Sequence, residues 1–87
     1  MFDAIVDPTR RRVLELLHDA ERPVGELVLA LQMEQTSVSK HLRVLRDAGL
    51  VTVRPVGRHR YYGLDSDGLQ TLDEWLNRFR ERLHPNG

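Results

Sequence analysis

The feature that most constrains the fold is a change in the spacing of apolar residues at Gly49. Before it, Val38, Leu42 and Leu45 follow one another at steps of four and three residues, which predicts one buried side of a helix over residues 35–48. After it, apolar and polar residues alternate, which is typical of a strand with one buried face. Glycine suits the left-handed position just beyond a helix end, so Gly49 is predicted to end the helix.

The hairpin predicted over residues 51–64 has a definite register. If Gly57-Arg58 is a two-residue turn, the apolar residues of its two strands face each other. The predicted cross-strand pairs are Val51 with Leu64, Val53 with Tyr62 and Pro55 with Arg60. Pro55 then falls in a pair without backbone hydrogen bonds, where its missing N–H does no harm. Tyr61 and Tyr62 are expected on opposite faces, one in the core and one outside, and a longer loop at the tip is the alternative.

Helical signals precede this unit. Asp7 can cap a helix that starts at Pro8, and apolar residues at helical spacing predict an N-terminal helical segment over residues 1–20. Residues 24–48 are predicted to form two helices joined by a tight turn at residues 32–34. Followed by the hairpin, these helices predict a mainly α fold with a small β-hairpin wing, a winged helix-turn-helix.

A last helix is predicted over residues 66–84, with Asp65 as its cap. Its apolar residues recur at steps of three and four, which is the spacing of a two-heptad packing seam. They are Leu69, Leu72, Leu76, Phe79 and Leu83, with Trp75 beside them. The seam either packs on its own domain or against a helix outside it. Because a chain of 87 residues has little core to cover it, we expect the partner helix to come from a second copy of the chain.

Composition limits the remaining function classes. The chain is long enough for one domain, which we place at residues 1–87. It contains no cysteine, which excludes a disulfide framework, a thiolate metal site and a thiol nucleophile. The longest apolar run, residues 27–31, is too short to span a membrane, and no signal peptide is visible at the N-terminus. We therefore expect a cytoplasmic protein with no membrane partner.

Charge is distributed unevenly, although the chain has 13 cations and 13 anions. The segment between Gln32 and Tyr62 has six cations and two anions and so carries +4, while the rest of the chain carries −4. The six cations are Lys40, Arg43, Arg46, Arg54, Arg58 and Arg60. A locally positive segment attracts phosphate even when the net charge is zero, although chance patchiness explains the charge pattern equally well. Arg46 either pairs with a nearby acid or contacts phosphate, and residues 10–12 are expected to form a solvated arginine face.

The helix over residues 35–48 has a polar side opposite its apolar residues. Short hydroxyl and amide side chains cluster at its start, and Lys40 and Arg43 follow. In a DNA major groove Gln binds adenine, Lys reaches guanine, and Ser or Thr bonds either a base edge or a phosphate. On an arbitrary helix a solvated face is the better interpretation. After this turn and before this wing, we expect contact with DNA.

Four segments of the chain carry a family resemblance. They are FDAIVDPTRRRVLELL, VGELVLAL, QTSVSKHLRVLRDAGLV and VRPVGRHRYYGL. Together they cover nearly the whole chain, and it resembles the ArsR family of winged helix-turn-helix transcriptional repressors. The resemblance implies a repressor that binds a palindromic operator as a homodimer, paired through its first and last helices.

The resemblance also implies roles for individual residues. Base contacts fall to the start of the recognition helix, at Gln35, Thr36, Ser39 and Lys40. Contacts to the DNA backbone or by the wing fall to Ser37, His41, Arg43, Arg58, His59 and Arg60. The dimer interface falls to Phe2 and Ile5 of the first helix and to Leu69, Leu72, Leu76, Phe79 and Leu83 of the last.

The chain departs from the family pattern at its sensing sites. Many family members bind metals or metalloids through cysteines, and this chain has none. Another family site uses Asp and His pairs on the last helix. The last helix here offers Asp73, Glu74, Glu81 and His84 without the paired histidine spacing. We therefore expect no metal and no cofactor, and the sequence identifies no small-molecule inducer. Glu34 stands at a cap position where Ser or Thr is common. Gln32 replaces a small turn residue, and this replacement predicts slight strain in the tight turn at residues 32–34.

Two rival function classes remain. The histidines at positions 18, 41, 59 and 84 have no nucleophile, oxyanion site or metal set beside them, so we expect no enzyme, and His41 is expected to pack rather than to ligate a metal. The other rival is a winged helix that serves as a protein-interaction module without reading DNA. Steep loss of affinity with salt, and dependence on Lys40 and Arg58, would distinguish DNA binding from such a module.

Overall fold

A computed structural model describes residues 2–85, except for the side chain of Phe2; residues 1, 86 and 87 lie outside the described part. Its elements, in chain order, are α1 (Phe2–Val6), α2 (Pro8–Leu16), β1 (Arg22–Pro23), α3 (Val24–Leu31), α4 (Gln35–Asp47), β2 (Val51–Val56), β3 (His59–Leu64), α5 (Ser66–Asn77) and α6 (Arg80–Leu83). The strands form one antiparallel sheet in the order β1-β3-β2. The predicted fold class, mainly α with a small β wing, is confirmed.

Helix α2 begins at Pro8 with Asp7 as its cap, as predicted. The Asp7 carboxylate accepts hydrogen bonds from two backbone N–H groups of the first turn, at 2.8 and 3.1 Å, and Pro8 is the first helical residue. The helix ends at Leu16, so the prediction of helix as far as residue 20 is wrong. The Arg22 Nε–H donates to the Leu16 carbonyl at 2.6 Å, and it satisfies a carbonyl group that a helix end leaves without a partner.

Helices α3 and α4 form the predicted helix-turn-helix. Val38, Leu42 and Leu45 of α4 are fully buried in one cluster with Leu27 of α3, which confirms the apolar side read from the sequence. Gln32 lies in the turn between them with φ 54°, a left-handed conformation that is uncommon for a residue with a side chain. The strain predicted at this turn is therefore located at Gln32.

A Schellman motif around Gly49 ends α4. Gly49 has φ 79°, and its N–H donates to the Arg46 carbonyl at 2.9 Å. The Leu50 N–H donates to the Leu45 carbonyl at 3.0 Å. Because Leu45 and Leu50 are both fully buried, backbone bonds and apolar packing together fix the direction in which β2 leaves the helix.

The hairpin has the predicted register. Its pairs include Val51 with Leu64, Val53 with Tyr62 and Pro55 with Arg60, and its turn is at Gly57-Arg58. The sequence did not predict β1, in which Arg22 pairs with Tyr62 and Pro23 with Tyr61. The extra strand makes β3 the centre of the sheet.

The two tyrosines of β3 lie on opposite faces as expected: Tyr62 packs against the core, whereas Tyr61 is on the other face but is half-buried there rather than exposed. Tyr61 lies opposite Arg54, whose Nε–H donates to both Glu21 carboxylate oxygens at 2.8 and 2.9 Å. The Glu21 side chain lies so close to Gly63 that a Cβ there would be 2.9 Å from Glu21 Cγ. This ion pair covers part of the sheet face that the sequence assigned to solvent.

The C-terminal helical region is in two pieces, so the prediction of one helix over residues 66–84 is wrong. The N–H groups of Arg78 and Phe79 bond three residues back, and Phe79 leaves the helical conformation with φ −111°. The Arg80 guanidinium donates to the Asn77 side-chain oxygen at 2.6 and 3.0 Å across the break. The apolar seam is therefore divided between α5 and α6.

Helix α5 is anchored to the rest of the chain at its start. Asp65 caps α5. Gly68 of α5 passes so close to Gly49 that a Cβ at position 68 would overlap the Gly49 carbonyl oxygen. Leu69 packs against the core, while no residue of α5 is fully buried. The chain measures 48 × 23 × 21 Å and is thus elongated.

Candidate nucleic-acid interface

The four residues assigned to base contacts lie on the surface of α4. Gln35, Thr36, Ser39 and Lys40 are exposed, and within residues 2–85 their side chains make no hydrogen bond or ion pair. The buried side of the helix fixes it to the domain, so these side chains project outward from a rigid element. Glu34 stands at the cap position of α4, but its side chain makes no capping hydrogen bond.

The wing brings three more of the assigned residues to the same region. Arg58, His59 and Arg60 are exposed around the hairpin turn, where Gly57 has φ 62°. They line an open groove together with Gln35 and Ser39 of α4. The fold thus joins the start of α4 and the wing, which are separated in sequence, into one surface.

A second hollow lies farther along α4, between this helix and the sheet. Ser39, Arg43, Arg46, Asp47 and Tyr62 line it. Among the described residues Arg46 has no ion pair, so of its two alternatives the pairing with a nearby acid is absent, and the residue is exposed. The sequence did not place Tyr62 at this surface, because only the strand pairing brings it beside α4.

Five of the six cations counted in the basic segment are available to a ligand. The exception is Arg54, which is held by Glu21 in the ion pair described above. The available cations are Lys40, Arg43, Arg46, Arg58 and Arg60, all exposed and without an ion pair in the described part of the chain. We name this set the free cations.

Ser37 and His41 lie on a different side of α4 from the free cations. Both are half-buried, and Nδ1 of His41 is 3.4 Å from Nη1 of Arg10 on α2. Arg10 was expected on a solvated arginine face. Instead it is half-buried, and together with Arg11 it donates hydrogen bonds to carbonyl groups of α1.

Among the groups that the structure describes in this region, Asp7 is the one whose pKa is clearly displaced. The hydrogen bond from the Arg10 backbone N–H is the largest cause and lowers the pKa below its ordinary 3.8. Partial desolvation opposes this effect, while the Thr9 N–H and the charges of Arg10 and His41 add to it. The carboxylate that caps α2 is therefore held in its charged form.

The residues assigned to the dimer interface divide into two groups. Ile5 and Leu69 are half-buried and pack against the core of their own chain, and Leu72 is also half-buried. Leu76, Phe79 and Leu83 are exposed at 36%, 41% and 59%. The Phe2 side chain lies outside the described residues, while the neighbouring Val6, which the sequence analysis did not select, is 64% exposed.

Trp75 extends the exposed apolar surface of α5 and α6. It is 36% exposed, and its ring centroid is 4.7 Å from that of Phe79 at a tilt of 54°. Leu76 and Leu83 also expose apolar side chains on these two helices. This surface suits a protein partner.

The described residues contain neither a metal-binding cluster nor a membrane-spanning helix. No group of three or more His, Asp or Glu side chains between residues 2 and 85 is arranged to hold a metal ion. Over the same range, every helix is too short or too polar to cross a lipid bilayer.

Comparison with known proteins agrees with this arrangement. Residues 7–53, which include the helix-turn-helix, match the family described as "Bacterial regulatory protein, arsR family". The HTH-type transcriptional regulator Rv2034 of Mycobacterium tuberculosis is 43% identical over 81 residues, which are 93% of this chain and 76% of that protein. The transcriptional repressor SdpR of Bacillus subtilis is 33% identical over 79 residues, 91% of this chain and 88% of that protein.

A solved structure is similar over almost the whole chain. It is the homodimeric winged helix-turn-helix DNA-binding domain of Mb0332 from Mycobacterium bovis, a possible ArsR-family regulator. The TM-score is 0.75 at 28% identity, and the match covers 99% of this chain and 81% of that one. Fold, matched segment and relatives agree: this chain belongs to the arsR family of bacterial regulatory proteins.

Proposed function

We propose that this chain is a sequence-specific DNA-binding transcriptional regulator that binds a palindromic operator as a homodimer. The observation that carries the proposal is the joint surface of α4 and the wing, where Gln35 and Ser39 are exposed beside Arg58 and Arg60, while the other free cations are exposed along α4. A surface of unpaired cations beside a projecting helix suits the phosphates that border a major groove.

Base recognition is assigned to the start of α4. Gln35 is suited to adenine and Lys40 to guanine, while Thr36 and Ser39 have hydroxyl groups that bond base edges or phosphates. All four project from one end of a helix whose other side is fixed in the core. A recognition helix of this kind reads bases with its N-terminal residues.

Backbone contacts are assigned to the residues around this helix. Arg43 lies on the outer side of α4, and Ser37 and His41 lie on the side toward α2. Arg58, His59 and Arg60 extend from the wing, where an arginine can enter a narrow minor groove. These contacts add affinity for all sequences and fix the register of α4.

Homodimerisation is assigned to the first and last helices. Leu76, Phe79 and Leu83 expose an apolar surface that the domain itself leaves uncovered. The Mycobacterium bovis domain with this fold is homodimeric, which supports the same assembly here. Two copies would present two recognition helices to successive major grooves, about 34 Å apart.

Repression is the regulatory outcome that follows most simply from this architecture. A dimer on promoter DNA blocks transcription by occupancy, and SdpR, a repressor, is similar over 91% of this chain. The proposal needs no cofactor and no catalytic step. Binding to promoter DNA also places the protein in the cytoplasm.

Fluorescence anisotropy with a labelled duplex of mixed sequence tests the DNA-binding part of the proposal. The chain should bind at about 50 mM salt and should lose affinity steeply toward about 200 mM. Lys40→Ala and Arg58→Ala should each weaken binding. Absence of binding to the duplex, or binding that neither substitution weakens, would instead indicate a protein-interaction module.

A further inference from the structure

A single guanidinium joins three helices beside the proposed recognition helix. Arg10 of α2 donates from Nε to the Ala4 carbonyl at 2.7 Å and from Nη2 to the Asp3 carbonyl at 2.6 Å, both in α1. Its Nη1 is 3.4 Å from Nδ1 of His41 in α4. Arg10 thus contacts α1 and α4 at once, from a half-buried position on α2.

The contact with Arg10 favours one tautomer of the His41 ring. A guanidinium is a donor only, so Arg10 Nη1 at 3.4 Å suits a His41 ring whose Nδ1 accepts. In the neutral ring the proton is then on Nε2. Within residues 2–85, no acceptor is bonded to this Nε2–H, although the ring is half-buried.

His41 lies at the edge of the surface assigned to DNA. It follows Lys40 directly, and one residue turns a helix by about 100°, so His41 lies on the flank of α4 that faces α2. In a helix-turn-helix complex the DNA backbone runs beside the groove that the recognition helix occupies. An Nε2–H donor on this flank is suited to a phosphate oxygen.

We infer that Arg10 is a positioning residue for DNA binding, which orients the His41 ring so that its Nε2–H donates to a DNA phosphate while the other donors of Arg10 hold α1. The inference rests on the proposed function and adds a tautomer-specific contact on the α2 flank of the recognition helix. Asp7, the cap of α2, is a charged group beside this site, since its carboxylate interacts with the charge of Arg10.

Two substitutions of His41 separate the two ring nitrogens. His41→Gln places an amide N–H near the position of Nε2, whereas His41→Asn places one near Nδ1. Binding is measured by anisotropy on a mixed-sequence duplex of about 30 base pairs at about 50 mM salt, because a phosphate contact does not depend on the operator. His41→Gln should stay within about twofold of the unmodified protein, and His41→Asn should bind about tenfold more weakly.

Substitutions of Arg10 test the positioning role. Arg10→Met should weaken binding about as much as His41→Asn and should add little in the His41→Asn background, because both remove the same contact. Arg12→Met is the matched control, since Arg12 is exposed on the same helix and pairs only with Glu15 in the described chain. Circular dichroism establishes that each variant is folded.

The tautomer itself is measured from the ¹⁵N shifts of the His41 ring in the free protein. The Nε2–H form is expected, with its population lowered in Arg10→Met. A ring protonated on Nδ1, equal losses for the Gln and Asn variants, or additive losses for Arg10→Met and His41→Asn would each overturn the inference while leaving DNA binding intact. Failure of the unmodified protein to bind the duplex would instead overturn the proposed function and the inference with it.

Discussion

Substitution of Arg60 by alanine tests whether the free cations contact DNA phosphates. Arg54 and Arg60 both lie on the strands of the wing, and both are exposed arginines. Arg54 is bound to Glu21 through two short hydrogen bonds, whereas Arg60 has no ion pair within the described residues. Arg54→Ala is therefore a control with the same loss of charge and a different expected result.

The salt dependence of binding gives the magnitude. Each phosphate that a protein neutralises contributes about 0.9 to the slope of log affinity against log salt. If the four free cations other than Lys40 contact phosphates in each chain, a dimer has a slope of about −7. Arg60→Ala removes two contacts from the dimer and should reduce the slope by about 1.8, while Arg54→Ala should leave it nearly unchanged.

Anisotropy titrations between about 50 and 250 mM salt measure both slopes on the same duplex. Arg60→Ala should weaken binding to all sequences alike, since phosphates carry no sequence information. Equal slopes for the Arg60→Ala and Arg54→Ala proteins would refute the reasoning. A larger change for Arg54→Ala would show that the ion pair with Glu21 opens in the complex.

Three further predictions concern assembly and stability. Leu76→Glu should convert a dimer to a monomer in light scattering, because it places a charge on the exposed apolar surface of α5; a dimer of undiminished stability would remove α5 from the interface. Gly68→Ala should destabilise the chain in urea unfolding, because the added Cβ would overlap the Gly49 carbonyl oxygen. Gly25→Ala, with open space around it in α3, should stabilise the chain by about 0.5–1 kcal/mol, and equal effects of the two substitutions would contradict the close approach of Gly68 to Gly49. Folding lowers the pKa of Asp7, so its carboxylate contributes stability above pH 3.8 that is lost as the pH falls through the folded pKa. The stability advantage of the unmodified protein over Asp7→Asn should therefore shrink below about pH 4, and a constant difference down to about pH 2 would contradict this.

Local signals explain why α4 and the hairpin could be predicted. Gly49 ends the helix because a left-handed residue is needed there, and Pro55 restricts the pairing to a register that leaves its missing N–H without consequence. The buried side of α4 follows from the helical period alone. In each of these cases the determining residues lie within a few positions of the structure that they determine.

The features that the sequence missed depend on contacts between distant residues. Strand β1 has only two residues, and it exists because Arg22 and Pro23 meet β3 about forty positions later. Arg10 looked like part of a solvated arginine face, since nothing nearby in sequence indicates that it reaches His41. The surface on which α4 meets the wing likewise depends on tertiary packing, although the residues that form it were identified by type and position.

The most direct measurement of the central claim is selection of bound duplexes from a random-sequence library by the unmodified protein and by the double variant Gln35→Ala, Lys40→Ala. The unmodified protein should enrich a palindromic sequence with half-sites about one helical turn apart, and the double variant should lose that base preference while retaining salt-dependent binding. Enrichment of no sequence by the unmodified protein, or of the same sequence by both proteins, would contradict the assignment of base recognition to the exposed start of α4.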